Sequence, residues 1–363
     1  MKEFSIYHSR WYLFVRRHWL TVVFLLGFVT DYILLNRIDD TFDNAILLFY
    51  VVLASFSILL FYVGVAEKIS LKWSQRLRHY MPVLMQYSFG GLLSGMLIFY
   101  GRSGDLLVSY PFIILIVGVI IINEMVSKQS DRLLYNLAVY FIGLFSYCVL
   151  VMPVLVNDMG DFIFVGSGVL AVIIMILMVK ILSKIIPNFM AMQKRGLTFI
   201  VGSIYVLFNT FYFLNVIPPI PLSLTELSIY QSVQATNSGG YRITKEDNSW
   251  FDVISMLSDD FYPLKGQGAS CFARVYAPTN LTTNIVHRWE FLDKTGGWRE
   301  HYVQSYKITG ENKKGYRGYT TVKNIHNGKW RCSVESERGQ VLGRLTFTID
   351  TTKSPKDLVT VVE

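Results

Sequence analysis

The sequence predicts a chain in two parts. Residues 1–217 read as an all-α membrane bundle of seven transmembrane helices, and residues 229–363 as an all-β antiparallel sandwich of immunoglobulin-like type, with a proline-rich junction at 218–228 between them. Three observations predict this. Long apolar stretches recur as far as residue 217 and then stop. Strand-length runs separated by turn residues follow from Gly268 onward. Lys and Arg collect in alternate loops of the apolar part. The chain is 52% hydrophobic and 17% charged, against roughly 25% charged in an ordinary soluble domain. A formal charge of +8 would suit nucleic acid, but basic residues that flank membrane helices account for it, so no nucleic-acid partner is expected.

A helix crosses about 30 Å of hydrocarbon with about 20 mostly apolar residues. Stretches that meet this description run over 19–35, 45–65, 83–100, 106–122, 133–152, 162–182 and 197–217. The first reads as a retained helix, since no small-residue cleavage pattern follows it. Lys2, Arg10, Arg16, Arg17, Lys68, Lys72, Arg76, Arg78, Lys128, Arg132, Lys180, Lys184, Lys194 and Arg195 fall on one side of the bundle. Arg37 and Arg102 fall on the other, among Asp39, Asp40, Asp43, Asp158 and Asp161. The positive-inside rule then puts the N-terminus in the cytoplasm, and seven crossings deliver the C-terminal domain to the outer face. The β domain is thus expected outside the cytoplasm, and the bilayer is the first partner.

Within the bundle, Ile69, Trp73, Leu77 and Tyr80 recur at helical spacing beside Lys68, Lys72 and Arg76. This predicts a separate amphipathic helix lying flat at the inner surface. Gly91 and Gly95, Gly90 and Ser94, and Gly166 with Ser167 and Gly168 are small-residue faces that let helices approach closely. They serve either packing within the bundle or a homo-oligomer. Asp31 and Glu124 are the notable intramembrane ionisable groups, with Gln86, Asn136 and Asn209 as isolated polar ones. Such groups point by default to a transport pathway, yet they form no relay pattern here.

Ile217-Pro218-Pro219-Ile220-Pro221-Leu222 ends the helical part, because consecutive prolines cannot continue a helix. Segments 229–233 and 241–244 read as strands, and 250–257 as a short helix or strand. Beyond them, runs 269–277, 284–292, 298–308, 316–323, 330–337 and 341–349 alternate with turns such as Thr295-Gly296-Gly297 and Asn327-Gly328. Side chains alternate between faces along a strand. Cys271, Ala273 and Val275 therefore share one face, and Trp330, Cys332 and Val334 another. Both cysteines can point inward, as a disulfide or as adjacent free thiols. Cys148 reads as a packed apolar residue of the fifth helix.

The runs Cys271-Phe272-Ala273-Arg274-Val275, His287-Arg288-Trp289, Tyr316-Arg317-Gly318-Tyr319-Thr320-Thr321-Val322-Lys323, Gly328-Lys329-Trp330-Arg331-Cys332-Ser333-Val334 and Gly339-Gln340-Val341-Leu342-Gly343 occur in this order. Together they resemble the bacterial domain family DUF2914 over roughly residues 265–350. After the Tyr-Arg pair, where that family carries a Ser-Ser-Lys-like run, this chain has Thr320-Thr321-Val322-Lys323. The resemblance implies a bacterial envelope protein and implies neither a reaction nor a ligand.

On chemistry alone, His287, Trp289, Arg317 and Trp330 are the candidate binding residues, because a Trp and Arg platform stacks on a sugar ring or a peptide. The competing reading makes Trp330 a core filler and His287 a satisfied polar residue at its margin. His301 and His326 lie elsewhere, and no Cys/His spacing suggests zinc, so no metal and no cofactor are expected. The leading expectation is a non-enzymatic envelope protein whose β domain binds a protein or glycan. A transporter built around Asp31 is the first alternative. A membrane-embedded enzyme acting on a lipid-linked substrate, with Arg102 and Asp105 clustered, is the second.

Overall fold

The computed structural model describes residues 19–35, 41–126, 133–236, 240–246, 260–264, 266–310, 315–355 and 358–362. The chain divides into two compact units, one of residues 1–101 with 110–216 and one of residues 102–109 with 217–363.

The first unit is helical. In chain order the helices are α1 (Trp19–Leu34), α2 (Thr41–Val65), α3 (Leu71–Ser103), α4 (Leu106–Val126), α5 (Leu133–Val156), α6 (Asp161–Ile185) and α7 (Pro187–Phe213). Each predicted apolar stretch falls in one of them. Five of these helices, α2, α3, α5, α6 and α7, are long and apolar enough to cross a membrane by length and composition. The turn between α6 and α7 follows from Pro187, whose ring fits the first turn of a new helix but blocks continuation of the old one.

The separate interfacial helix is not observed. Residues 71–80 form the first turns of α3, which runs unbroken for 33 residues with Pro82 inside it. Helix-interior prolines are tolerated in membrane segments where neighbouring groups satisfy the freed carbonyl. At 1.5 Å per residue α3 is about 50 Å long, so its basic N-terminal turns extend past any span of ordinary thickness. Lys68 donates to the Lys184 carbonyl oxygen at 2.6 Å, which joins two loops that the charge pattern assigns to one side. The basic lead at residues 2–17, Arg37, Lys128 and Arg132 lie outside the described residues.

The glycine faces pack inside this chain. A Cβ at Gly91 would lie 2.4 Å from the Tyr50 ring, and one at Gly95 would lie 2.7 Å from Leu47, so both let α3 approach α2. Gly168 is closed in the same way by Tyr205 and Phe145, whereas Gly166 faces open space.

Among the described residues the second unit holds eleven strands: β1 (Ser223–Tyr230), β2 (Ser232–Ala235), β3 (Tyr241–Glu246), β4 (Asp260–Phe261), β5 (Ala269–Tyr276), β6 (Thr282–Leu292), β7 (Trp298–Thr309), β8 (Tyr316–Val322), β9 (Gly328–Ser336), β10 (Val341–Ile349) and β11 (Leu358–Val362). They form three sheets, of order β1-β5-β8, β4-β10-β9-β6-β7 and β11-β3-β2. The six predicted runs from 269 onward match β5 to β10 closely. Two expectations change. The junction contributes a strand, because Ser223–Tyr230 pairs antiparallel with β5. The largest sheet is mixed, because β4 runs parallel to β10. The predicted 250–257 element lies outside the described residues.

The β1-β5-β8 sheet is buried on both faces, which explains why β5 is almost continuously apolar rather than alternating. One face gives Ala269, Cys271 and Val322 to a core shared with Phe261, Trp289, Trp330, Cys332, Phe347 and Ile349 of the five-stranded sheet. The other face gives Phe272 to a smaller core with Val233 and Ile243. Segment 102–109 belongs to this unit. The Asp105 amide donates to the Val341 carbonyl oxygen at 3.3 Å, and the Ser223 hydroxyl donates to the Arg102 carbonyl oxygen at 2.8 Å.

Candidate functional site

The centre of the β unit is built around a disulfide. Cys271 on β5 and Cys332 on β9 are bonded with a Cα–Cα distance of 6.6 Å. Each alternates onto the inner face of its own sheet, so the bond ties the two sheets together. Across β6 and β9 the register sets Trp289 opposite Cys332, His287 opposite Val334 and Phe291 opposite Trp330, and this places both tryptophans and the histidine on the same inner face.

His287, Trp289 and Trp330 are each 0% exposed. They do not form an accessible platform. Trp330 donates its indole N–H to the His326 carbonyl oxygen at 2.9 Å. Trp289 donates to the Thr320 hydroxyl at 2.9 Å, and the same hydroxyl lies 3.1 Å from Nδ1 of His287. The Tyr306 hydroxyl meets Nε2 of His287 at 2.8 Å. Both ring nitrogens are thus partnered, and burial pushes the His287 pKa down to about 4. The Tyr306 hydroxyl is raised, chiefly by burial and then by Tyr316 and Tyr241. Sequence reading noted Thr320 within the Tyr-Arg-Gly-Tyr-Thr-Thr run but gave it no bonding role; its place on the inner face of β8 reveals one.

Arg317 is separated from this group by one step of the β8 pleat. Gly318 and Thr320 face the disulfide core, while Arg317 faces β3 and packs over the Tyr241 ring at 5.2 Å. The Tyr241 hydroxyl donates to the Arg317 carbonyl oxygen at 3.1 Å, and Tyr319 meets Tyr241 edge-on with ring centroids 5.7 Å apart. On the inner side Tyr306 stacks on Tyr316 at 6.1 Å. A Cβ at Gly318 would lie 2.4 Å from the Tyr306 ring, so the glycine of the Tyr-Arg-Gly-Tyr run is what lets that ring lie across β8. β7 and β8 are the end strands of their sheets. Tyr316 stays 41% exposed and Tyr302 of β7 38% exposed. Tyr302 and Tyr316 are therefore accessible aromatics of the β unit, while Arg317 and Tyr241 lie half-buried on the other face of β8. Sequence reading named only Arg317 of these; the alternation of Arg317 and Tyr319 was the available signal.

The outward face of the five-stranded sheet carries crossed ion pairs. Arg288 meets Glu335 at 3.1 Å and also pairs with Glu300. Arg331 donates to Glu290 at 2.9 Å and covers the Trp298 ring at 4.3 Å. Burial holds the Glu335 carboxyl above its usual range, against the pull of Arg288. On the inner face, His301 and His326 meet through Trp330, each with its ring centroid 4.9 Å from the indole. Burial, then the neighbouring His326, lowers His301.

In the helical unit, Asp31 is 0% exposed. Tyr50 donates to one carboxylate oxygen at 2.6 Å, and the Ser94 hydroxyl donates to the other. Ser94 also reaches the Gly91 carbonyl oxygen at 3.0 Å. Glu124 lies in the last turn of α4, and its side chain is outside the described residues. The Asp105 carboxylate caps α4 by accepting the Leu107 amide at 2.8 Å.

These features define a class: a helical unit with helices long and apolar enough to cross a membrane, joined to a disulfide-pinned β unit. Residues 282–349, which cover β6 to β10, match the family described as "Protein of unknown function (DUF2914)". The C-terminal part of the chain is therefore the part that this family accounts for, as the motif resemblance implied. No curated protein matches the chain. Among solved structures, a Pseudomonas fluorescens alkylpurine DNA glycosylase, AlkC, bound to DNA containing an abasic site analogue, is similar at a TM-score of 0.21 and 10% identity, over 82% of this chain and 78% of that one. A likeness of this size carries no argument about fold or function.

Proposed function

We propose that the protein is a non-enzymatic, multi-pass envelope protein that holds an immunoglobulin-like β domain outside the cytoplasm, where the domain binds a protein or glycan partner. All seven helices cross the bilayer in this reading, with the N-terminus inside. The observation that carries it is the Cys271–Cys332 bond, because structural disulfides persist in oxidising compartments. A buried Trp packed beside an inter-sheet disulfide also suits an immunoglobulin-like domain. Segment 102–109, which the charge pattern assigns to the outer side, groups with the β unit, and this agrees with the same orientation.

The binding surface in this reading is the edge of β8, with Tyr316 exposed and Arg317 held over Tyr241, rather than the buried tryptophans. Exposed tyrosine faces beside a guanidinium stack on sugars and hydrogen-bond to peptides. The test is capture from envelope extract by full-length protein in nanodiscs. Arg317→Ala with Tyr316→Ala should lose the captured species while keeping the disulfide; equal retention by the double variant would remove this surface from consideration. Protease added to spheroplasts should cleave the β unit, and protection of it would refute the orientation.

Asp31 favours a second reading, a transporter. A buried carboxyl held by two hydroxyls between α1, α2 and α3 is the kind of intramembrane acid that marks an ion or proton path. Loss of a measured flux in Asp31→Asn, with the protein still folded, would promote that reading over the first.

A further inference from the structure

We propose that Cys271, Cys332 and His287 form a redox-gated Zn²⁺ site, closed while the disulfide stands and opened when it is reduced. The three residues come from β5, β9 and β6. Their candidate ligand atoms lie within 4.8 Å of one another, and all three side chains are buried. No ligand spacing shows in the sequence, because the set is assembled across two facing sheets rather than along one loop.

The geometry suits the ion. With Zn–S near 2.3 Å and Zn–N near 2.0 Å, donor atoms around a tetrahedral zinc stand about 3.5 to 4 Å apart. The Cα–Cα distance of 6.6 Å lies toward the wide end of the range that disulfides span. The sulfurs can therefore separate to that spacing by side-chain rotation, with both strands left in place. One ring nitrogen of His287 lies within 4.8 Å of both sulfurs. Nδ1 is the nitrogen next to Thr320, and Nε2 meets the Tyr306 hydroxyl at 2.8 Å. Ligation through Nδ1 leaves Nε2–H to donate to Tyr306, the outer hydrogen bond that fixes ring orientation in such sites. The Thr320 hydroxyl, 3.1 Å from Nδ1, is at hand for the fourth position.

Charge selects the metal. Two thiolates and a neutral imidazole around a divalent ion sum to zero, which a dry core tolerates; Cu⁺ with the same ligands would leave a buried negative charge. The chemistry balances simply. A dithiol reductant gives two electrons and two protons to the Cys271–Cys332 bond and itself becomes a disulfide. Zn²⁺ then displaces one proton from each thiol.

The experiment uses the full-length protein in nanodiscs. Anaerobic phosphine reduction is followed by one equivalent of Zn²⁺, desalting and zinc quantification, with Co²⁺ as a spectroscopic probe of thiolate ligation. Reduced protein should retain about one zinc per chain and release it on reoxidation, while the oxidised protein retains none. Co²⁺ should show thiolate charge-transfer absorption. Cys148→Ser should behave as wild type. His287→Gln, which leaves the disulfide able to form, should bind at least tenfold more weakly. The proposal fails if reduced wild type holds no more zinc than the Cys271→Ser, Cys332→Ser variant, if His287→Gln binds unchanged, or if Cu⁺ is retained where Zn²⁺ is not.

Discussion

Replacing Thr320 by Val should destabilise the β unit far more than its change in size implies. The side chain is 4% exposed, and Val matches its shape, so packing is preserved. What disappears is the oxygen that accepts the Trp289 indole N–H at 2.9 Å and meets His287 at 3.1 Å. The indole nitrogen is a donor only, and leaving it unpaired in the core costs about 1–3 kcal/mol. His287 can change tautomer against Tyr306, so its share is smaller, about 1 kcal/mol. The sum is about 2–4 kcal/mol. Thr320→Ser keeps the hydroxyl and loses one methyl, for about 1 kcal/mol. The order Thr, then Ser, then Val therefore puts last the residue that hydrophobicity alone would put first. Urea unfolding of the full-length protein, followed by tryptophan fluorescence, measures it. A Val variant as stable as wild type, or more stable than the Ser variant, would refute the bonding scheme at the centre of this domain.

Three further outcomes are expected. Reducing the disulfide in metal-free protein should lower stability by about 4 kcal/mol, the chain-entropy value for a loop of this length given a sequence separation of 61; an unchanged urea midpoint after verified reduction would count against the pin. His287 has a folded pKa of about 4, below its unfolded value of about 6.5, so its contribution is complete above pH 6.5 and fades as pH falls toward 4. The stability difference between wild type and His287→Gln should shrink over that window by about 3 kcal/mol, and a difference flat with pH would contradict the buried neutral imidazole. Gly91→Ala should destabilise the helical unit by about 1–3 kcal/mol through overpacking, since its Cβ would fall 2.4 Å from Tyr50 whereas Gly101 has nothing within 4 Å; equal melting shifts for Gly91→Ala and Gly101→Ala would show that the close approach of α2 and α3 is not the cause.

The helical half was legible in the sequence because its signal is local. Runs of Leu, Ile, Val and Phe of sufficient length read as helices whatever they pack against. One misreading there, a separate helix before Pro82, arose because proline and basic charge mark boundaries in water but are tolerated within a long α3. In the β half, period-two alternation allowed Cys271 and Cys332 to point inward and set Trp330 on the same face as Cys332. Alternation states which side of a strand a residue takes, but not which sheet lies opposite.

That second fact is tertiary, and it decided the site. Sequence grouped His287, Trp289, Arg317 and Trp330 as one surface; sheet stacking buried three of them and turned Arg317 toward Tyr241 through one step of the pleat. Pairing across the core joined Cys271 to Cys332 and brought His287 and Thr320 to them from two other strands. Local composition thus determined that this chain has apolar helices followed by strands. Contacts between residues far apart along the chain, which no local pattern encodes, determined which side chains meet, which remain accessible and where chemistry can occur.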